Sequence, residues 1–361
     1  MKTMFLVIAV CMTLLALGAT SAAAQPGETI VKKAPVPLML DPQVNMFRIG
    51  PPAVDLFSPD RAKSSTITIH FLHAGEVGFW SDTAIDWPTG ASNALLYAIT
   101  VWEYYVDSSV PITIEATMCA NLGAGILGHS GATVAHSGFS GALVANTYYD
   151  AALANALHGS DLSPANNDMA MAFSAAFSWY YETNGSPSGS QVDFVSVVLH
   201  EICHGLGFNG SMEVSGGVGS WGSGGRPWIY DRFTETNPGT NLINTAFYPN
   251  PSTALGDALQ SGNVYFNGTD ANAANGGYRV KLYAPGTWNG GSSYAHLDTI
   301  FDGTTNALMT WAIAYGEVVH DPGPVTIGLL QDLGWNNVPE PGCCVALLLI
   351  GWGLRRSAAR L

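Results

Sequence analysis

Two histidines four residues apart, with a glutamate directly after the first, can do one kind of chemistry together: grip a metal ion and move a proton beside it. His200, Glu201 and His204 stand in that arrangement within His200-Glu201-Ile202-Cys203-His204-Gly205-Leu206-Gly207-Phe208. On a helix, positions i and i+4 share a face, so both imidazoles reach one ion while the Glu201 carboxylate lies alongside to take a proton from water. A core helix accounts for the apolar neighbours, but not for two histidines and a glutamate among them.

A catalytic zinc takes three protein ligands and leaves a fourth position open, so a further residue must complete the set. In the compact spacing H-E-x-x-H-x-x-G-x-x-H the glycine is present as Gly207, but Gly210 stands where the third histidine would be and cannot bind a metal. Glu213, Asp231, Glu235, His296 and His320 remain. Glu213 or Glu235 would give a gluzincin-like carboxylate ligand, although the sequence between them is too loop-like for the helix such a ligand usually needs. His296 is the best of the five: it lies in Ser292-Ser293-Tyr294-Ala295-His296-Leu297-Asp298, ahead of Asn306-Ala307-Leu308-Met309-Thr310.

At these residues the chain resembles the leishmanolysin-like metallopeptidases, metzincins in which a long insertion separates the helix motif from the third histidine. The resemblance covers roughly residues 91–335 and rests on the helix motif, on His296 before the Met309 turn, and on the closing Thr326-Ile327-Gly328-Leu329-Leu330-Gln331-Asp332-Leu333-Gly334-Trp335. It implies that His200, His204 and His296 hold one Zn2+ per chain, that Glu201 is the general base, and that Met309 forms the hydrophobic floor of the site. It further implies endopeptidase activity on protein or peptide substrates. Trp311 stands where some metzincins carry a tyrosine, and Tyr315 and His320 are expected to be packed rather than catalytic.

These residues need elements to carry them. Val195, Val198, Leu199, Ile202 and Leu206 recur at helical spacing, with Asp193 as the N-cap and Gly205 and Gly207 as the stop. Upstream, Ile67, Ile69 and Phe71 alternate as in a half-buried strand, Leu95, Ala98, Trp102 and Tyr105 form a helical stripe, and further strands are expected at 111–117, near 132–136 and around Met169, Met171 and Phe173. A short helix is expected at 149–157 and a final one at 324–333, ended by Gly334. The expected fold is α+β: a twisted sheet with two long helices, then a mostly irregular C-terminal lobe, and the family likeness implies a two-lobed arrangement with the cleft between the lobes.

Of the 361 residues, 47% are hydrophobic and only 11% charged, against the roughly 25% usual for soluble domains. A net charge of -14 without a basic cluster argues against nucleic acid or an anionic membrane surface as partner. Residues 1–24 read as a secretory signal peptide, 25–60 as a Pro-rich linker or pro-segment, and 61–336 as the zinc metallopeptidase domain. Residues 337–361, with Pro339-Glu340-Pro341, an apolar run and terminal arginines, resemble the PEP-CTERM sorting signal of Gram-negative bacteria. That tail implies an exosortase-type processing enzyme, transient membrane contact, and delivery outside the cell or to its surface. Outside the leader and tail stand Cys119 and Cys203, expected either to pair as a disulfide pinning the zinc helix or to remain separate buried thiols. A different class of function also suits the low charge and the tail: a surface or matrix protein that zinc stabilises and that cleaves nothing.

Overall fold

The computed structural model describes residues 27–32, 34–58 and 64–335. The stretches expected to be a signal peptide and a sorting tail lie outside the described residues. Strands β1 (Glu28–Val31), β2 (Val36–Val44), β3 (Arg48–Ile49) and β4 (Ile67–Phe71) lead to helix α1 (Ala91–Tyr105), β5 (Ile112–Cys119) and β6 (Ile126–Ala132). Next come β7 (Val134–Ser137), β8 (Tyr149–Asp150), α2 (Ala151–His158), β9 (Met169–Ser174) and the pair β10 (Trp179–Tyr180) and β11 (Val192–Asp193), which feeds α3 (Phe194–Gly205). Beyond α3 the chain forms β12 (Glu213–Ser215), β13 (Val218–Ser220), β14 (Thr234–Thr236), β15 (Thr240–Asn241), α4 (Thr253–Leu259), β16 (Val264–Phe266), α5 (Thr269–Ala274), β17 (Val280–Lys281), β18 (Ala312–Tyr315), β19 (Val318–Val319) and α6 (Gly323–Leu333). The fold class is α+β.

The main sheet has six strands in the order β18-β2-β6-β9-β5-β4. Strands β4, β5 and β9 run parallel, β6 runs antiparallel to β9, and β2 runs antiparallel to β6 and parallel to β18. At the sheet's edge β4 alternates, with Ile67 buried and Thr68 and His70 exposed, as a strand with one wet face should. In the interior β9 is buried at every position, so its Met169, Met171 and Phe173 face one side and its alanines the other.

Residues 25–60 were expected to be a linker or pro-segment, and the structure corrects the linker half of that expectation. Here β1 pairs with β7, β2 enters the main sheet and β3 pairs with β19. Pro35, Pro37 and Pro42 hide the strand from periodicity, because a strand is recognised by alternating apolar residues and prolines interrupt the count. The partners that make β2 a strand are far away in sequence.

Helix α1 buries Leu95, Ala98 and Trp102 and packs against α3, to which the Trp102 indole N–H donates at the Leu199 carbonyl, 3.0 Å away. Asp193 caps α3 by accepting from the Ser196 N–H at 2.8 Å. Close packing of α3 on β9 depends on Gly205, where an added Cβ would fall against the Met169 side chain, including its sulfur and, at 2.8 Å, its Cβ. Because the Met169 Cβ is fixed by the sheet backbone, Gly205→Ala is expected to lower stability by about 2 kcal/mol. A urea midpoint shifted down at unchanged m-value checks this.

The C-terminal part was expected to be mostly irregular and is instead built of many short elements. A four-stranded sheet, β15-β14-β16-β17, uses strands of two or three residues, too short for alternation to register. Helix α6 packs on α5, and after it the Trp335 indole N–H donates to the Leu206 carbonyl at 2.8 Å, tying the end of the described chain to the end of α3. The disulfide expected between Cys119 and Cys203 is not formed: both are free, buried thiols. Cys119 ends β5 beside Asp82, where burial first and that carboxylate second push its thiol up to about 12, whereas Cys203 sits within α3 near Tyr230.

Candidate metal centre

Helix α3 supplies His200 and His204, one turn apart, and the loop after β17 supplies His296. Their three Nε2 atoms form a triangle with sides of 2.9, 3.2 and 3.3 Å. Each ring is oriented from behind by a main-chain carbonyl, which can only accept. The Nδ1–H of His200 donates to Leu308 at 2.6 Å, that of His204 to Phe208 at 2.7 Å, and that of His296 to Ser292 at 2.8 Å. With the protons on Nδ1, all three Nε2 lone pairs face one another.

Such an arrangement is repulsive unless a cation lies among the nitrogens. Burial pushes the His200 and His204 imidazoles well below their ordinary range, with neighbouring histidines adding to the effect, and lowers His296 to about 4. The rings are therefore neutral at ordinary pH, which is the ligand form. In a tetrahedral site with zinc about 2.0–2.1 Å from each nitrogen, ligand atoms lie about 3.3 Å apart, close to the observed sides. Among the described residues this is the one group of His, Cys, Asp or Glu whose ligand atoms converge for a metal.

Glu201 is wholly buried, no side chain hydrogen-bonds its carboxylate, and the main-chain donor that reaches toward it is the Leu38 N–H of β2. Burial raises its carboxyl well above the usual carboxylate range, and the Leu38 backbone works in the opposite direction. The side chain faces the main sheet: a Cβ placed on Gly128 of β6 would be 3.0 Å from its Oε1. A buried carboxylate one residue along α3 from His200, with no side-chain partner, fits a site that takes a water and a metal, because leaving such a group under-bonded otherwise costs several kcal/mol.

The other candidate ligands are engaged elsewhere. Glu213 is exposed on β12, Glu235 pairs with Arg279 at 2.6 Å, and His320 is held by Asp193 at 2.7 Å. Asp231 ties a knot behind His296: it accepts from the Ser211 hydroxyl, from the N–H groups of Ser211 at 2.9 Å and Trp228 at 2.8 Å, and from the Tyr294 hydroxyl at 2.9 Å. Tyr294, two residues before His296, has φ of 73°, a left-handed conformation uncommon for a bulky residue and held here by that bond. Nothing local in the sequence marks this role, since the four donor groups belong to three residues in separate segments. Asp231→Ala leaves these donors buried without an acceptor, so a loss of about 3 kcal/mol is expected in urea unfolding, with weaker zinc retention as His296 loosens.

Met309 is fully buried at the end of the turn Ala307–Met309, whose Leu308 carbonyl holds His200. The Met309 carbonyl in turn accepts from the Leu297 N–H at 2.8 Å, so the turn fixes both sides of the centre. Trp311 stacks on Tyr283 with ring centres 5.3 Å apart, and Tyr315 closes β18, so neither is placed as a metal ligand. His320, Asp193 and Ser196 form a buried network at the start of α3, with the Ser196 hydroxyl donating to Asp193 at 2.7 Å and accepting from the Val319 N–H. No curated protein and no solved structure matches the chain, while a family model described as SPBPB7E8-like matches residues 145–220, a stretch that includes α3 and its His200-Glu201-x-x-His204 motif.

Proposed function

We propose that the chain is a zinc-dependent endopeptidase with a two-lobed, metzincin-like architecture, acting on proteins or peptides outside the cell or at its surface. The observation that carries this reading is the convergence of the His200, His204 and His296 Nε2 atoms, with the wholly buried Glu201 next to His200 on the same helix. Zinc held there would polarise a scissile carbonyl and acidify water. The three imidazoles would hold the ion, their orientation fixed by the Leu308, Phe208 and Ser292 carbonyls. Glu201 is the group that would accept the proton of the attacking water and return it to the departing amine. Met309 and its turn support the centre without taking part in proton transfer.

A second reading draws on one observation: each metal-centre side chain is at most 1% exposed, as in a zinc site that serves stability alone. The surface or matrix protein of that reading would need four protein ligands, and three converge. The deciding experiment measures zinc content and casein hydrolysis on the protein with its cleft open, as developed below, before and after chelation. About one zinc per chain, with hydrolysis lost on chelation and restored by zinc, supports the peptidase. Hydrolysis indifferent to chelation rules it out, and zinc without hydrolysis in the open form favours the structural role.

A further inference from the structure

The centre is covered, and what covers it is a strand. Leu38, only 2% exposed, lines a small cavity together with His200, Ser196, Leu308, Ile313 and Val319. Its strand, β2, runs between two walls of the metal centre. On one side is β6, which borders Glu201 through Gly128, directly opposite Leu38 in the antiparallel register. On the other is β18, which begins three residues after Met309 and lies parallel to β2, with Met39 opposite Ala312 and Leu40 opposite Ile313.

The backbone of β2 is bonded to both walls: the Met39 N–H donates to the Trp311 carbonyl at 3.2 Å and the Leu40 N–H to the Gly125 carbonyl at 2.8 Å. A peptide that adds a strand to a sheet binds in this way, with main-chain hydrogen bonds for affinity and side-chain pockets for selection. The segment adds few fully buried residues to the core, with Leu40, Ile49 and Val54 packed against it from the edge. Of the described residues 27–58, only Leu38 and Leu56 belong to the buried hydrophobic core. The elements carrying the centre, α3, β6, β9 and the loop of His296, come from later in the chain.

We propose that β2 is an intramolecular stand-in for the substrate: residues 36–44 occupy the peptide-binding cleft, with Leu38 in the side-chain pocket beside His200, and displacing them opens the site. This rests on the peptidase reading and adds its regulation and selectivity. The pocket takes a branched aliphatic side chain, and substrate lies antiparallel to β6. The segment is held by main-chain pairing at β1, β2 and β3 and by side-chain ties of Lys32 to Asp150 and of Arg48 to the Gly185 and Pro187 carbonyls, so a cut between β3 and β4 turns it into a separate peptide that can leave once these are broken.

The test uses the zinc-loaded full chain in three forms: wild type, Leu38→Asp, which puts a second carboxylate into the buried cavity that Glu317 already lines, and Met39→Pro, which removes the bond to Trp311. Binding of acetyl-leucyl hydroxamate, a small zinc-directed probe, is measured by calorimetry, and cleavage is followed with a quenched peptide containing leucine. Both variants are expected to bind the probe at least tenfold more tightly than wild type and to cleave at least tenfold faster. Wild type binding the probe as tightly as both variants overturns the proposal. Variants that gain the probe but cleave nothing leave the strand as the cover of the centre and remove the peptidase reading instead.

Discussion

His296→Ala is expected to lose zinc while keeping its fold. Two imidazoles on one helix turn remain after the substitution, and zinc with two protein ligands is held far more weakly than with three. Disturbing only an outer hydrogen bond of a metal ligand costs roughly 10–100-fold in affinity, so removing a ligand outright should cost at least that upper value. In free zinc at about 1,000 times the wild-type dissociation constant, wild type gains about 4 kcal/mol of stability, and a variant bound about a hundredfold more weakly gains about 1.4 kcal/mol. Thermal melts with and without zinc read that difference, and metal analysis after dialysis reads the stoichiometry. The loop itself should stay in place, because Tyr294 remains tied to Asp231 and Thr234, and Leu297 to Met309. If the variant retains one zinc and the full zinc-dependent rise in melting temperature, the third ligand lies elsewhere.

What could be read from the sequence was local in physical origin. The i, i+4 pairing of His200 and His204, the Asp193 cap, the α1 stripe and the Gly334 stop each depend on residues within a turn or two of one another, and each stands as expected. His296 was reachable for a different reason, through the Met309 turn that follows it, and its nitrogen does converge with the other two.

The misses share an opposite cause. Strand β2 exists because β6 and β18 provide its partners, and Pro37 interrupts the very periodicity that would have marked it. An even pair of cysteines and an oxidising destination leave a disulfide and two separate buried thiols equally open, and the second is found, because pairing needs a Cα separation and orientation that composition does not contain. Asp231, considered as a ligand, serves instead as the acceptor for Ser211, Trp228 and Tyr294, a role visible only once those segments meet. The burial of the centre was likewise out of reach, since it follows from where residues 36–44 lie.

Glu201→Gln should separate metal binding from turnover, and it carries the largest expected effect on rate. The amide matches the carboxylate in size, and none of the three imidazoles is held by Glu201: their partners are the carbonyls of Leu308, Phe208 and Ser292. Zinc stoichiometry should therefore stay at about one per chain, as three intact ligands require. Proton transfer is different, because an amide cannot accept a proton from water near neutral pH, and a positioned general base is worth roughly 10²–10⁴-fold. In the Met39→Pro background, where β2 no longer covers the site, kcat should fall by about that factor with KM little changed, since the peptide is held by β6 and β18 rather than by Glu201. A structural zinc site gives the contrary result. There the buried carboxylate is a burden, Gln in its place is neutral or mildly stabilising, and no rate exists to be lost. Full activity in Glu201→Gln would remove this residue from the chemistry and, with it, the account of why a wholly buried carboxylate has no side-chain partner.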